Sequence, residues 1–244
     1  MIERENGVKL WNAICEDQSN GNDMLKLWGR PNSICTQRVL WACAEAGVDW
    51  EMELASATMG PEGHVASGAE PFGHVNTAAY RAMNPNGTVP TMDDGGIILW
   101  DSIAIVSHIA SKYGPKALYG SDPDVFTRSL QWMCWTNEHL EPLLHTLVME
   151  LVRLPPEQRD PGSLQRARKQ SIDELGLLEQ QLGERAYLTG DHFSMGDIPA
   201  GATVHRWMLF DLERPAMPNL ENWQSRLHDR QAFQDHIAPR QYHL

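Results

Sequence analysis

The sequence predicts an α/β domain followed by an all-α domain. Three observations carry this: a strand, helix and strand in succession from Leu25 to Leu54, a hairpin signature around Asp93-Asp94-Gly95-Gly96, and helical patterning alone beyond a linker punctuated by Gly and Pro from Gly114 to Pro123. At 244 residues the chain can bury a sizeable core, as one large unit or as two smaller ones packed together.

Residues 1–24 are polar and unpatterned, so they read as a loose extension, with Met24 as an alternative start. Leu25 to Trp28 is a short strand, and Gly29, Arg30, Pro31 and Asn32 turn the chain into a helix from Ile34 to Ala46. Ser33 stands where that helix needs an N-cap, and Gly47 stands where it needs a left-handed terminator. Asp49 to Leu54 alternates, with Trp50, Met52 and Leu54 on one face and Glu51 and Glu53 on the other, the pattern of a half-buried strand. Residues 55–77 contain Gly and His without periodicity and read as a flap beside a site. Val89 to Met92 and Ile97 to Trp100 flank the four turn residues as a hairpin, and the next helix runs from Ser102 to about Tyr113. Beyond the 115–123 linker, Asp124 to Leu154 is one long helix stopped by Pro155-Pro156. Pro161 opens another that carries Leu164, Ile172, Leu175, Leu178 and Leu182. The expected division is therefore 1–24, 25–114, 115–123 and 124–244.

Composition removes several classes of function. The formal charge is −12 with scattered Lys and Arg, so the basic stripe that phosphate backbones or acidic membrane surfaces require is missing. No apolar run approaches the ~20 residues of a membrane helix, and the N-terminal stretch lacks a signal peptide's apolar region, so a cytoplasmic location is expected. Cys15, Cys35, Cys43 and Cys134 form neither a CxxC pair nor a metal spacing, and His64 and His74 have no acidic or thiol companions, so no metal is expected. Cys43, beside Val39 and Leu40, and Cys134, in a tryptophan-rich stretch, read as buried small hydrophobes.

Three short motifs can carry chemistry. A strand, a tight turn and a helix start gather the Ser33 hydroxyl and several backbone N–H groups at one point, where the helix dipole favours an anion. For a thiolate, lowering the pKa by two units from ~8.5 needs only ~2.7 kcal/mol of differential interaction. Taken alone, Ser33 is an ordinary helix cap. In Asn84-Pro85-Asn86-Gly87-Thr88-Val89-Pro90, Pro90 enters a strand that it should interrupt, which a cis Val89-Pro90 bond or an edge-strand turn would explain. The first option leaves Val89 main-chain groups able to bind a peptide-like ligand. In Asp101-Ser102, Ser102 would cap the next helix while Asp101 pairs with a ligand's ammonium group.

Together these motifs resemble those of cytosolic glutathione transferases. Leu25 to Gly114 resembles their thioredoxin-like half and Asp124 onward their helical half. Gly190-Asp191-x-Phe193-Ser194-Met195-Gly196-Asp197-Ile198-Pro199 resembles the capping motif of the helical half, in which Ser194 and Asp197 exchange side-chain-to-backbone bonds. The phrases WGRPNS, LVRLPPEQRD and ERPAMPNLENW are similar to a bacterial subgroup with serine or cysteine sites. The resemblance implies a thioredoxin-like N-terminal domain plus an all-α C-terminal domain, glutathione as co-substrate, a small electrophilic substrate, a detoxification role and a homodimer. It implies that Val89-Pro90 holds the backbone of glutathione and Asp101-Ser102 its γ-glutamyl group.

Within the resemblance, Ser33 aligns with the catalytic serine of theta- and zeta-like members, and Cys35 with the cysteine of beta-like members that forms a mixed disulfide. No Tyr precedes Tyr80, which disfavours a tyrosine mechanism. Thr88 stands where many relatives carry a basic or amide side chain for the glycine carboxylate. Arg30 could supply that charge, bind an acidic second substrate, or be a solvated loop residue. Trp132, Met133 and Trp135 could line the electrophile pocket, although their spacing equally suits a core. The implied activity is transfer through a glutathione thiolate, with a glutathione-dependent disulfide reductase and a non-catalytic binding module as alternatives.

Overall fold

A computed structural model describes residues 24–56, 75 and 77–239. The expected extension, most of the 55–77 flap, and Cys15, His64 and His74 lie outside the described residues.

β1 (Leu25–Gly29), α1 (Ile34–Ala46) and β2 (Trp50–Leu54) form the predicted βαβ unit, with β1 and β2 parallel. A short α2 (Ala78–Met83) leads to β3 (Thr91–Asp94) and β4 (Ile97–Trp100), which pair antiparallel across Gly95-Gly96. β3 also pairs antiparallel with β1, placing Leu27 opposite Met92, so the sheet order is β2-β1-β3-β4. β3 begins two residues later than the apolar run suggests: Val89 and Pro90 precede the ladder, joined by a cis peptide bond. On β2, Trp50 and Met52 are half-buried as expected, but Leu54 is exposed, because β2 is an edge strand whose end runs past the covering core.

α3 (Ser102–Lys112) and α4 (Pro115–Tyr119) follow; the latter forms inside the predicted linker, with Pro115 at its first position and Gly120 in the left-handed conformation at its end. A helical run then extends from α5 (Pro123–Trp135) through α6 (Glu141–Val148), each followed by a five-residue π turn, Thr136–Leu140 and Met149–Arg153. The sequence suggests one uniform helix here. The first π turn has an evident cause in Pro142, which lacks the N–H that would bond Glu138 and whose ring crowds that carbonyl; Glu141 N–H donates instead to Thr136 O, five residues back. Leu154 turns extended, as the following prolines require.

α7 (Pro161–Leu182), capped by Asp160, α8 (Asp197–Leu209), α9 (Pro218–His228) and α10 (Gln231–His236) complete the helical half. α1 is buried nearly all round, which a helix tolerates when packed on both sides. Trp41 on α1 lies 5.6 Å from Phe193 and 5.0 Å edge-on from Phe233, so it ties the sheet-bearing half to the helical half. One continuous core joins Leu27 and Met92 of the sheet, Val39 and Leu40 of α1, and Leu175, Val204 and Trp223 of the helices. Gly201 permits the closest approach: a Cβ there would lie 2.6 Å from Leu227 and 3.1 Å from Trp41. Cys43 is buried in this core, but Cys134 is exposed, contrary to its reading from sequence, because its side of α5 faces solvent.

At the start of α8 the Asp197 carboxylate is fully buried and accepts from Leu188 N at 3.0 Å, Ser194 N at 2.9 Å, Ser194 Oγ at 3.1 Å and Trp223 Nε1 at 3.0 Å. The reciprocal bond differs from the expected exchange: Ser194 Oγ accepts from Gly196 N at 3.3 Å, not from Asp197 N. Burial pushes the Asp197 carboxyl up, and the four donors pull it back. Among the described residues no helix is long and apolar enough to cross a membrane, and no three His, Cys, Asp or Glu side chains gather as a metal group.

Candidate functional site

Ser33 has extended backbone angles, φ −77° and ψ 124°, and its Oγ accepts from Thr36 N at 3.5 Å, so it caps α1 as predicted. That bond is at the long limit and uses only a lone pair, so the hydroxyl proton remains available to a ligand. Gly29 lets the strand pass this turn closely, since a Cβ there would meet the Thr36 side chain at 2.7 Å. The first turn of α1 leaves the N–H groups of Ile34 and Cys35 without intrahelical acceptors.

The Val89-Pro90 segment is held from beneath. Tyr80 OH and Asn84 Nδ2 both donate to the Thr88 carbonyl, at 2.8 and 2.9 Å, and both also contact Thr91 Oγ1. Asn84 is completely buried and its Oδ1 accepts from Asn86 N at 3.1 Å, closing the turn. Gly87 adopts φ +60° there, with Val75 O only 3.0 Å from where a Cβ would stand, so a larger residue would be strained and crowded.

At the start of α3 the capping role expected of Ser102 is taken by Asp101. Asp101 is the N-cap, its Oδ1 accepting from Ile103 N at 2.8 Å and Ala104 N at 3.4 Å, while Ser102 is the first helical residue and is buried. Both cap bonds fall on one carboxylate oxygen. Asp101 holds φ +73°, a conformation costing a residue with a Cβ about 1–3 kcal/mol. Such strain persists where surroundings enforce it, and here it sets a carboxylate in a cavity wall.

These segments enclose a cavity of about 500 Å³ lined by Arg30, Ser33, Cys35, Thr88, Val89, Pro90, Asp101 and Ser102 from the sheet-bearing half. The predicted candidates from that half thus share one space. The opposite wall comes from Asn137, Glu141, Leu144, His145, Val148 and Arg153, with Arg206 from α8. Trp132, Met133 and Trp135 are not among the lining residues. Met133 is fully buried in the core, while Trp132 and Trp135 line a separate cavity of about 450 Å³ with Leu177 and Gln181 of α7. The lining positions 137, 141, 144, 145 and 148 form the helical face that starts where the tryptophans end; polar Asn137 and Glu141 interrupting that face were its signal in the sequence. Arg206 gave none, since its role depends on where α8 crosses α1.

Charge is distributed unevenly around the cavity. Glu141 pairs with the buried Arg38 of α1, and Thr203 Oγ1 joins them, 2.9 Å from Arg38 Nη2 and 3.2 Å from Glu141 Oε2. Cys35 is partly exposed in the wall; burial pushes its thiol up, Arg38 pulls it down, Glu141 raises it again, and a hydrogen bond with Ser102 lowers it. The net direction is upward, so the thiol is protonated at neutral pH. Arg30 is only 5% exposed, not a solvated loop residue. Burial, then repulsion from Arg153 and Arg206, lowers its pKa to about 10, so it stays charged. Arg206 donates to Asn32 O at 2.7 Å and Gln37 Oε1 at 2.9 Å, which fixes the turn before Ser33 to α8.

Residues 32–112 match the family described as glutathione S-transferase, N-terminal domain, and residues 161–226 match glutathione S-transferase, C-terminal domain. Over 211 residues the chain is 34% identical to Glutathione S-transferase GstB of Escherichia coli strain K12, covering 86% of this chain and 95% of that one. It is 28% identical over 229 residues to Glutathione S-transferase 3 of Zea mays, covering 88% and 93%. Among solved structures, the theta class glutathione S-transferase of Xanthomonas axonopodis pv. citri with glutathione bound is 36% identical and superposes with a TM-score of 0.78, covering 88% of this chain and 97% of its own. Two family domains in the right order and a relative matched over nearly its whole length agree with the βαβ unit, the cis Val89-Pro90 turn and the capped α1, and the chain belongs to the glutathione S-transferase family.

Proposed function

We propose that the protein is a glutathione transferase in which Ser33 stabilises the glutathione thiolate for attack on a small electrophile. The observation that carries this reading is the shared cavity: the α1 cap, the Val89-Pro90 turn and the Asp101-Ser102 corner open on one space. Glutathione would lie along it with its backbone at Val89 and its γ-glutamyl group at Asp101 and Ser102. Asp101 Oδ2, not used by the cap, would face the ammonium, and the start of α3 the α-carboxylate. Thr88 offers a hydroxyl but no charge at the glycine end.

The sulfur then lies at the start of α1. The Ser33 hydroxyl donates to it while still accepting from Thr36 N, and the dipole of α1 adds favourable potential. The thiol proton leaves to solvent, the thiolate forms a C–S bond, and the leaving group departs with its electron pair. Ser33 makes no covalent bond to substrate. Conjugation is favoured over disulfide reduction because the alternative nucleophile, Cys35, is held protonated.

Calorimetry with glutathione, together with ultraviolet detection of bound thiolate near pH 7, checks the role of Ser33. Ser33→Ala should still bind glutathione, lose the thiolate band, and lower kcat about 100- to 1,000-fold, the range for removal of one oriented donor. An unchanged thiolate band in the variant would sink the assignment.

The division at 25–114 and 124–244, a cytoplasmic location and a homodimer belong to the same proposal. For the dimer, apolar surface is exposed on both halves, at Ile97, Ile98 and Trp100 of β4 and at Leu177 of α7 beside the Trp132 and Trp135 cavity. Sedimentation equilibrium at micromolar concentration should return twice the chain mass; a monomer would overturn it.

A further inference from the structure

Three arginines from distant parts of the chain meet in the cavity: Arg30 from the β1–α1 turn, Arg153 from the end of the second π turn, and Arg206 from α8. Their mutual repulsion is expressed in Arg30, whose pKa both neighbours depress. The whole molecule carries a formal charge of −12, so this concentration of positive charge runs against the average of the surface. The acidic groups in the wall are already engaged: Glu141 with Arg38 and Thr203, and Asp101 through the α3 cap.

Arg153 is the most informative of the three. It is half-buried, burial depresses its pKa, and its Nε and Nη1 are buried without a hydrogen-bond partner among the described residues. A guanidinium partly removed from water with donors unmatched is costly, and an anion that accepts from it is the ligand its charge suits. Arg30 interacts electrostatically with Cys35, two residues from Ser33, so the arginine group borders the place where the glutathione sulfur would lie.

Building on the transferase reading, we propose that the second substrate carries a carboxylate, or an anion of like shape, that seats on Arg153 with Arg30 and Arg206 beside it and so presents its electrophilic carbon to the sulfur. The anion would occupy the space between the helical wall and Ser33, leaving the Val89 and Asp101 side to glutathione. Selectivity would then come from charge: a neutral analogue of equal size reaches the same space but leaves the Arg153 donors unmatched.

A matched pair of aryl chlorides tests this, 4-chloro-3-nitrobenzoate and 4-chloro-3-nitrobenzamide. With each, the thiolate sulfur bonds to the ring carbon bearing chlorine, chloride leaves with the electron pair, and the thiol proton passes to solvent. Rates are divided by the uncatalysed rate for each compound, which removes their intrinsic difference in reactivity. Binding of the two finished glutathione conjugates, 4-carboxy-2-nitrophenyl and 4-carbamoyl-2-nitrophenyl, is measured by calorimetry and needs no turnover.

The wild type should prefer the carboxylate, in corrected kcat/KM and in conjugate affinity, by about tenfold or more, as a hydrogen bond between charged groups warrants. Arg153→Gln should bring that ratio close to unity, and Arg153→Lys should keep part of it. Equal wild-type affinity for the two conjugates overturns the anion seat, as does an Arg153→Gln variant that weakens both conjugates by the same factor. A fall in affinity for glutathione alone as large as that for the carboxylate conjugate also overturns it, because Arg153 would then hold glutathione's own carboxylate. Absence of binding of glutathione and both conjugates overturns the transferase reading itself, a result separate from loss of the charge preference.

Discussion

At Cys35 two influences oppose each other: removal from water raises the thiol pKa, and the Arg38 guanidinium lowers it. Burial wins because the Arg38 charge is already matched by Glu141, and that carboxylate itself disfavours a second anion nearby. Two residues away, Ser33 needs no ionisation, since the role proposed for it is to donate a hydrogen bond through a proton that it keeps. This asymmetry favours Ser33 over Cys35 in the proposed mechanism. It also has a measurable sign. Thiolate, not thiol, reacts with iodoacetamide, so in protein free of glutathione the exposed Cys134 should alkylate faster than Cys35 at pH 7. The Cys35 rate should still be climbing with pH beyond ~8.5, the ordinary thiol value. Peptide mass spectrometry at a series of pH values follows each cysteine separately. A Cys35 rate that levels off below pH 7 would mean a thiolate at neutrality and would restore the disulfide-exchange mechanism.

Among the elements, those legible in the sequence are set by local chemistry. Ser33 and Gly47 bracket α1 because a hydroxyl cap and a left-handed terminator act within one turn of the residues they serve. The β1–α1–β2 unit and the hairpin were visible for the same reason, as were Pro161 at the start of α7 and the special geometry at Val89-Pro90. The part that escaped depends on contacts between distant segments. Asp101 took the capping role expected of Ser102 because a positive φ redirects the chain, a choice that residue types alone do not reveal. The first π turn rotates the helical face by its extra residue, so Asn137, Glu141 and Leu144 reach the cavity while Trp132 and Trp135 turn toward α7. Arg153 stood in the quoted phrase LVRLPPEQRD, yet its function rests on Arg30 and Arg206, more than fifty residues away on either side.

Across the whole molecule, the sheet-bearing half and the helical half are joined by apolar and by polar contacts. Trp41 between Phe193 and Phe233 is an apolar one; the polar ones include Arg206 with Asn32 and Gln37, Arg230 with Glu45, and Arg38 of α1 with Glu141 of α6 and Thr203 of α8. Arg38 is completely buried and Glu141 is 20% exposed, so the pair sits in the low-dielectric limit on one side only. A buried ion pair adds little net stability compared with apolar residues of similar volume, because desolvation offsets the attraction. Breaking it from one side is a different matter, since Arg38 Nε and Nη1 already lack partners among the described residues and the remaining bonds would go to neutral groups. Glu141→Ala should therefore lower the unfolding free energy by about 3–5 kcal/mol. Arg38→Met combined with Glu141→Leu should recover most of that loss, because no charge is left unmatched. Urea denaturation followed by tryptophan fluorescence and by far-ultraviolet circular dichroism reads both. Trp41 lies at the junction, so the two signals should move together in the wild type and in the double variant. In Glu141→Ala they should separate if the junction melts before the halves do. A single variant as stable as the wild type would show that water reaches Arg38 freely and that the pair does not hold the halves together.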